Sequence, residues 1–153
     1  MSASSCTPSN PDFIEVTKRF LMAMPIAQHL GFDITDVGPG RFEITQPFRL
    51  ELSFREGTFQ AGPIGTLADM AAACAGATML PDGWAASTTD CTLKLLTPAV
   101  GEKLIARGRV LRAGRTLSFA AADVFCVRNG KETLCATALT TTRNFNTPVP
   151  NRP

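Results

Sequence analysis

A single histidine, His29, occurs in the 153 residues, and no serine or cysteine motif stands beside it. Triad chemistry needs an imidazole to take the nucleophile's proton, so a serine or cysteine hydrolase is not expected. His29 falls between the first helix and the first strand and reads as a packed or partly exposed side chain. Zinc lacks support too, because no Cys-x-x-Cys or His-x-x-x-His spacing occurs. No glycine pattern matches a phosphate-cradling loop or a dinucleotide fingerprint. A dense basic run is also missing: the formal net charge is +2 and the cations scatter from Lys18 to Arg152, a weak footprint for nucleic-acid binding. No apolar run reaches the ~20 residues that span a bilayer. The opening Met-Ser-Ala-Ser-Ser-Cys-Thr-Pro has no basic stretch followed by apolar residues, so a secretory leader is not expected. Five cysteines, an odd number at irregular spacings with three inside apolar runs, fit small hydrophobes in a reducing, cytoplasmic setting better than a disulfide framework.

The length suits one domain with a core of its own. Residues 1–10 and 146–153, rich in Ser, Thr, Pro and Asn, read as loose tails around a domain at 11–145. A helical rhythm runs through Phe13, Val16, Phe20 and Met24, with Asp12 placed to cap it and Pro25 where it stops. Alternating segments beginning at Gly31 and Arg41 flank Gly38-Pro39-Gly40 as a β-hairpin. An alanine-rich helix is expected over about residues 65 to 80, closed by Pro81-Asp-Gly. Strands follow at Ala86–Thr97, Lys103–Leu111, Leu117–Val127 and Thr133–Arg143, with Asn129-Gly130 as the last turn. This order of helix, hairpin, helix and meander predicts an α+β domain, one antiparallel sheet covering a helix. That helix is apolar nearly all round, so it needs a second cover besides the sheet, and another copy of the chain is the simplest.

One carboxylate interrupts the apolar helix: Asp69. Thr66-x-x-Asp69 fits a capping box, which explains the charge without any function. The alternative is chemical. A carboxylate in the first turn of an enclosed helix lies at the edge of an apolar crevice, where its pKa is easily raised. Upstream, the small residues Ala61 and Gly62 leave backbone amides free to meet an anion. A base beside an oxyanion pocket suits acyl transfer, and one carboxylate can serve both roles.

The segments Gln60-Ala61-Gly62, Asp69, Ser87-Thr88-Thr89, Pro98-Ala-Val-Gly101 and Gly114-Arg115-Thr116 occur in this order over about residues 25 to 145. In order and spacing the chain resembles the hot-dog fold acyl-CoA thioesterases of the phenylacetate-pathway, PaaI-like type. There a His-Gly-Gly precedes an Asp or Glu on the central helix. The resemblance implies five or six strands wrapped around one long helix, assembled as a dimer or tetramer with active sites between subunits. It implies an acyl-CoA substrate, medium-chain or aryl, with coenzyme A entering only as part of that substrate and no separate cofactor. Asp69 would be the general base or nucleophile, the Ala61 amide would polarise the thioester carbonyl, and Thr88 of the partner chain would help hold the water or the carboxylate. Gln60 stands where the family has histidine, Ala61 where it has the first glycine, and Phe54 where a Gln or Asn often orients water.

Arg112 and Arg115 lie where related proteins approach the phosphates of coenzyme A, and arginine's fork suits phosphate, although solvated strand-end charges explain them equally well. Phe54 and Phe59, with Phe42 and Phe48, could line an acyl pocket or simply fill the core. Two rivals keep the fold. One is a protein that binds acyl-CoA without cleaving it, suggested by Gln60 and Phe54. The other, weaker, is a hydroxyacyl thioester dehydratase, which normally pairs a histidine with the carboxylate.

Overall fold

The computed structural model describes residues 7–147. Chain entry is tied down by Asn10, which is buried and whose side-chain oxygen accepts the Asp12 amide at 2.9 Å. Asn10 therefore belongs to the folded body, and the last strand runs to Asn146, with Thr147 bonded to the Gly83 carbonyl; residues 1–6 and 148–153 of the expected tails lie outside the described residues. Helix α1 (Phe13–Met22) follows with Asp12 at its N-cap, but the Asp12 side chain makes no capping bond. Pro25 does not merely end α1. It opens a second helix, α2 (Pro25–Leu30), at the first helical position, where its missing N–H costs nothing.

Strands β1 (Asp33–Gly38) and β2 (Arg41–Pro47) form the expected hairpin. A 3-10 turn at Leu50–Leu52 and a small hairpin, β3 (Ser53–Arg55) with β4 (Thr58–Phe59), fill what the sequence suggests is a polar connection. Helix α3 spans Ala61–Ala77, a full turn earlier than expected. Gly62-Pro63 looks like a helix breaker, but first-turn amides have no helical partner, so a proline there loses nothing. The meander β5 (Trp84–Leu95), β6 (Lys103–Arg112), β7 (Leu117–Arg128) and β8 (Lys131–Asn146) completes the chain. The turn between β7 and β8 has Asn129 and Gly130 at φ 52° and 75°, the left-handed pair of a tight hairpin.

All pairings are antiparallel, and the six-stranded sheet has the order β1-β2-β6-β7-β8-β5. This is the hot-dog arrangement, with α3 laid across the inner face of the sheet against β2, β5, β6, β7 and β8. Small residues meet there: Ala68, Ala71, Ala72 and Ala75 of α3 face Ala106, Ala122, Ala136 and Ala138 of the sheet, and all are buried. With no long side chains between them, backbones approach closely. At Gly108 of β6 an added Cβ would stand 2.0 Å from the Ala71 carbonyl oxygen, far inside van der Waals contact. Outward side chains carry charge instead, as where Arg107 bridges Glu43 and Glu132, each at 2.6 Å.

Gly108→Ala should force α3 off the sheet and lower stability by about 3 kcal/mol, the upper end of the usual overpacking cost. Urea unfolding checks this, and a loss near zero would mean that the helix and sheet are not in backbone contact at Gly108.

Candidate active site

Asp69 lies in the third turn of α3, not the first, because the helix begins at Ala61 and no acidic residue occupies its first turn. The expected capping box is therefore not formed. Thr66 instead turns its hydroxyl back onto the Gly62 carbonyl at 3.1 Å. The cap is Gln60, whose side-chain oxygen accepts the Gly62 amide. Of the two amides expected to be free, Gly62's is thus occupied. Ala61's finds no acceptor among the described residues.

Around Asp69 the structure gathers three hydroxyl or thiol side chains. Thr88 of β5 donates to the carboxylate, 3.1 Å from one oxygen and 3.2 Å from the other. It does so from the same chain, not from a partner as expected. Thr140 of β8, wholly buried, places its hydroxyl 3.2 Å from the first of these oxygens. The same hydroxyl stands 3.4 Å from the Cys91 sulfur. Its one proton serves the carboxylate, and the Cys91 thiol directs its own proton to the same carboxylate.

Thr88 and Cys91 are three apart on β5, and in a regular strand they would face opposite sides. A bulge resolves this: Thr88 pairs with Thr142 and Asp90 with Thr141, so Thr89 is an extra residue in the ladder. The strand reverses its facing there, and both side chains reach Asp69. Burial raises the Asp69 pKa above the ordinary carboxylate value, and the hydrogen bonds from Thr88, Thr140 and Cys91 pull it partly back. Burial also raises the thiol pKa of Cys91. Cys74, enclosed beside Asp69, is pushed up to about 12 and is not a nucleophile.

The other expected site residues fall into two further places. Gln60, Ala61, Phe54 and Phe59 border a cavity of about 410 Å³ at the start of α3. Phe54 is 72% exposed there, whereas Phe59 is buried edge-to-face against Phe48 with ring centres 5.3 Å apart, a core role. Eight residues separate Ala61 from Asp69, which is about 12 Å along the helix axis. Arg115 lines a third cavity beside Trp84, beyond the other end of α3, and Arg112 is exposed on β6. His29 is exposed on α2, and its carbonyl accepts a bond from Arg49.

Thr140 and Cys91 were not among the expected residues. Thr140 carried a weak signal, since it shares the inward phase of β8 with Ala136 and Ala138 and so breaks an apolar row opposite Asp69. Cys91, an exposed residue, carried none, because only the bulge turns it toward Asp69. Among the described residues no group of three His, Cys, Asp or Glu gathers as a metal site would require, and no helix is long and apolar enough to cross a membrane.

No curated protein matches the sequence. Among solved structures, a thioesterase family protein from Silicibacter pomeroyi is 28% identical with a TM-score of 0.85, covering 88% of this chain and 98% of that one. A phenylacetic acid degradation-related protein from Ralstonia eutropha JMP134 is 28% identical with a TM-score of 0.70, covering 83% and 98%. The E. coli PaaI protein from the phenylacetic acid degradation operon, at 20% identity, is alike in fold, with a TM-score of 0.77 and coverage of 91% and 97%. Residues 57–133 match the thioesterase superfamily, and that stretch holds Gln60, Ala61, Asp69, Thr88 and Cys91. On that match, across half its length, the chain belongs to the thioesterase superfamily.

Proposed function

We propose that the protein hydrolyses an acyl-CoA thioester, medium-chain or aryl, with Asp69 as general base. The observation that carries this reading is a half-buried carboxylate on an apolar helix, held by three side-chain donors that fix its orientation and leave its outer side open to a cavity. A raised pKa makes the carboxylate a stronger base. Asp69 takes a proton from water, and the water oxygen bonds to the thioester carbon. The carbonyl becomes an oxyanion, collapses with cleavage of the C–S bond and expels the thiolate. With a pKa near ~8.5 the thiol leaves without a strong acid and recovers its proton from Asp69. The absence of a histidine at Gln60 is therefore no barrier to this reaction.

The oxyanion donor comes from a second copy of the chain. About 12 Å separates a chain's own Ala61 amide from its Asp69, too far for both to act on one carbonyl and its water. Strand β5 supplies the means of pairing. It is a 12-residue edge strand with seven exposed positions, and it flanks α3. Two copies related by a two-fold axis perpendicular to β5 would set their β5 strands and α3 helices antiparallel, bringing the Ala61 amide of one toward Asp69 of the other. A second copy also supplies the cover that the apolar outer side of α3 needs. In the alternative reading, a binding protein, the same cavity holds acyl-CoA without cleavage.

Asp69→Asn should lower kcat by ~10²-fold or more on acyl-CoA esters. Ala61→Pro, which removes only an N–H at a position where helices accept proline, should do likewise. Mixing and refolding the two inactive variants together should restore a fraction of the activity, since the hybrid pair has one intact composite site. If neither variant loses thiol release, the mechanism is wrong; if both do but the mixture stays inactive, each site lies within one chain. Saturable binding of acyl-CoA with no thiol release by the wild type would establish the binding protein instead.

Thr140→Val removes a bond that lowers the Asp69 pKa, so the acid limb of the kcat profile should move to higher pH, whereas Thr140→Ser should hold it in place. A variant that lost activity with an unmoved limb would make Thr140 merely structural.

Asp69→Asn should also stabilise the fold at neutral pH. The folded-state pKa is raised, so the wild type is at its relative best below the unfolded value and loses stability as pH rises through the folded one. The melting advantage of Asp69→Asn should therefore be present at pH 7 and shrink on acidification toward pH 4; an advantage unchanged across that range would contradict the assignment.

A further inference from the structure

Asp69 stands at one end of an apolar trough that the reaction scheme leaves unused. The trough holds about 340 Å³ between α1, α3 and β5. Met70, Ala73 and Ala77 of α3 form its floor, Ala86 of β5 one wall, and Phe20 and Met24 its roof. Beyond it a small cavity of about 60 Å³ shares Phe20, Ala77 and Ala86 and ends against Val16 and Trp84. From Asp69 to Ala77 is two turns of helix, about 12 Å. The three alanines set its width, and Phe20, 46% exposed, is one of the larger apolar side chains left uncovered by the chain's own fold.

We propose that this trough receives the acyl group of the thioester, with chain length read out along α3 by Ala73 and Ala77. The inference rests on the thioesterase reading above and deepens it. A thioester has two arms of unlike chemistry. The coenzyme arm carries amides and phosphates and needs polar partners; the acyl arm needs none. Polar groups enter the trough only at its Asp69 end, through Asp69 itself, Ser87 and Thr88. The cavity near Ala61 is different, because Thr58, Gln60 and Thr97 join its border and the Ala61 amide there has no acceptor among the described residues. The acyl arm therefore runs from the carboxylate toward Trp84, and the phenylalanines Phe54 and Phe59 belong to the other arm's side. The volume suffices for an aryl group or a medium chain, since a cavity of ~150 Å³ already accepts benzene.

Leucine at either alanine should shorten the trough, by different amounts. Ala73→Leu obstructs it one turn from Asp69 and Ala77→Leu two turns away. Each methylene kept out costs about fourfold in affinity. The ratio of kcat/KM for octanoyl-CoA over butanoyl-CoA should fall at least 10-fold in Ala73→Leu. In Ala77→Leu it should hold, while the ratio of dodecanoyl- over octanoyl-CoA falls instead. S-alkyl-CoA thioethers of the same lengths, titrated calorimetrically, should show the same graded order in Kd. A merely destabilised protein would lose all lengths together. If the wild type hydrolyses thioesters but the two variants keep its length profile, or if Phe54→Ala shifts the profile and they do not, the acyl group lies elsewhere and this inference falls alone. If nothing is hydrolysed but the thioethers bind in the graded order, the trough stands and the catalytic reading falls. Absence of both hydrolysis and binding overturns both.

Discussion

The contact between the backbone of α3 and the sheet at Gly108 is the constraint on which the rest of the molecule depends. Alanine faces alanine across this layer, and at one point no side chain intervenes at all. Such a layer gains less from burial per residue than one built on leucine and phenylalanine, since buried area scales with side-chain size. It gains precision in return. A helix resting on backbone has little freedom to slide or roll, so any residue on it keeps a fixed height above the strands. Asp69 benefits directly: its carboxylate meets Thr88 and Thr140 from two different strands only while that height holds.

The carboxylate itself works against stability. Desolvation disfavours its charge, and three donors offset only part of that cost. A fold that carries an acid on its most apolar helix, with no arginine or lysine among the described residues bonded to it, is locally inconsistent, and such inconsistencies concentrate where chemistry is done. The donors around it are hydroxyls and a thiol, not cations. They orient the carboxylate without lowering its basicity as far as a salt bridge would.

Much of the fold was legible in the sequence because its signals are local. Alternation identified the strands of the sheet, Asn129-Gly130 fixed the last turn, and the alanine-rich stretch marked the central helix. The errors were of two kinds. Pro25 was read as a stop, and the central helix was expected only from about residue 65, past Gly62-Pro63; proline and glycine usually break helices, yet in a first turn neither costs a hydrogen bond. This shift of one turn moved Asp69 from an apparent capping position to the helix interior and dissolved the capping box. The second kind concerns the site. Asp69 and Thr88 could be paired through family resemblance, but that Thr88 reaches Asp69 within its own chain depends on how β5 lies against α3. Thr140, 71 residues away, joins them only through strand order, which local patterns do not encode. Cys91 depends on the ladder irregularity at Thr89, a property of pairing between two strands and not of either alone.

That irregularity has a consequence beyond the carboxylate. By reversing the facing of β5 partway along, it divides an edge strand into two stretches whose side chains point to opposite sides in opposite phase. A flat strand laid alongside can match one stretch but not both, so the edge resists the indiscriminate strand addition by which exposed edges seed aggregates. The single residue that turns a thiol toward the carboxylate therefore also guards the exposed edge of the sheet.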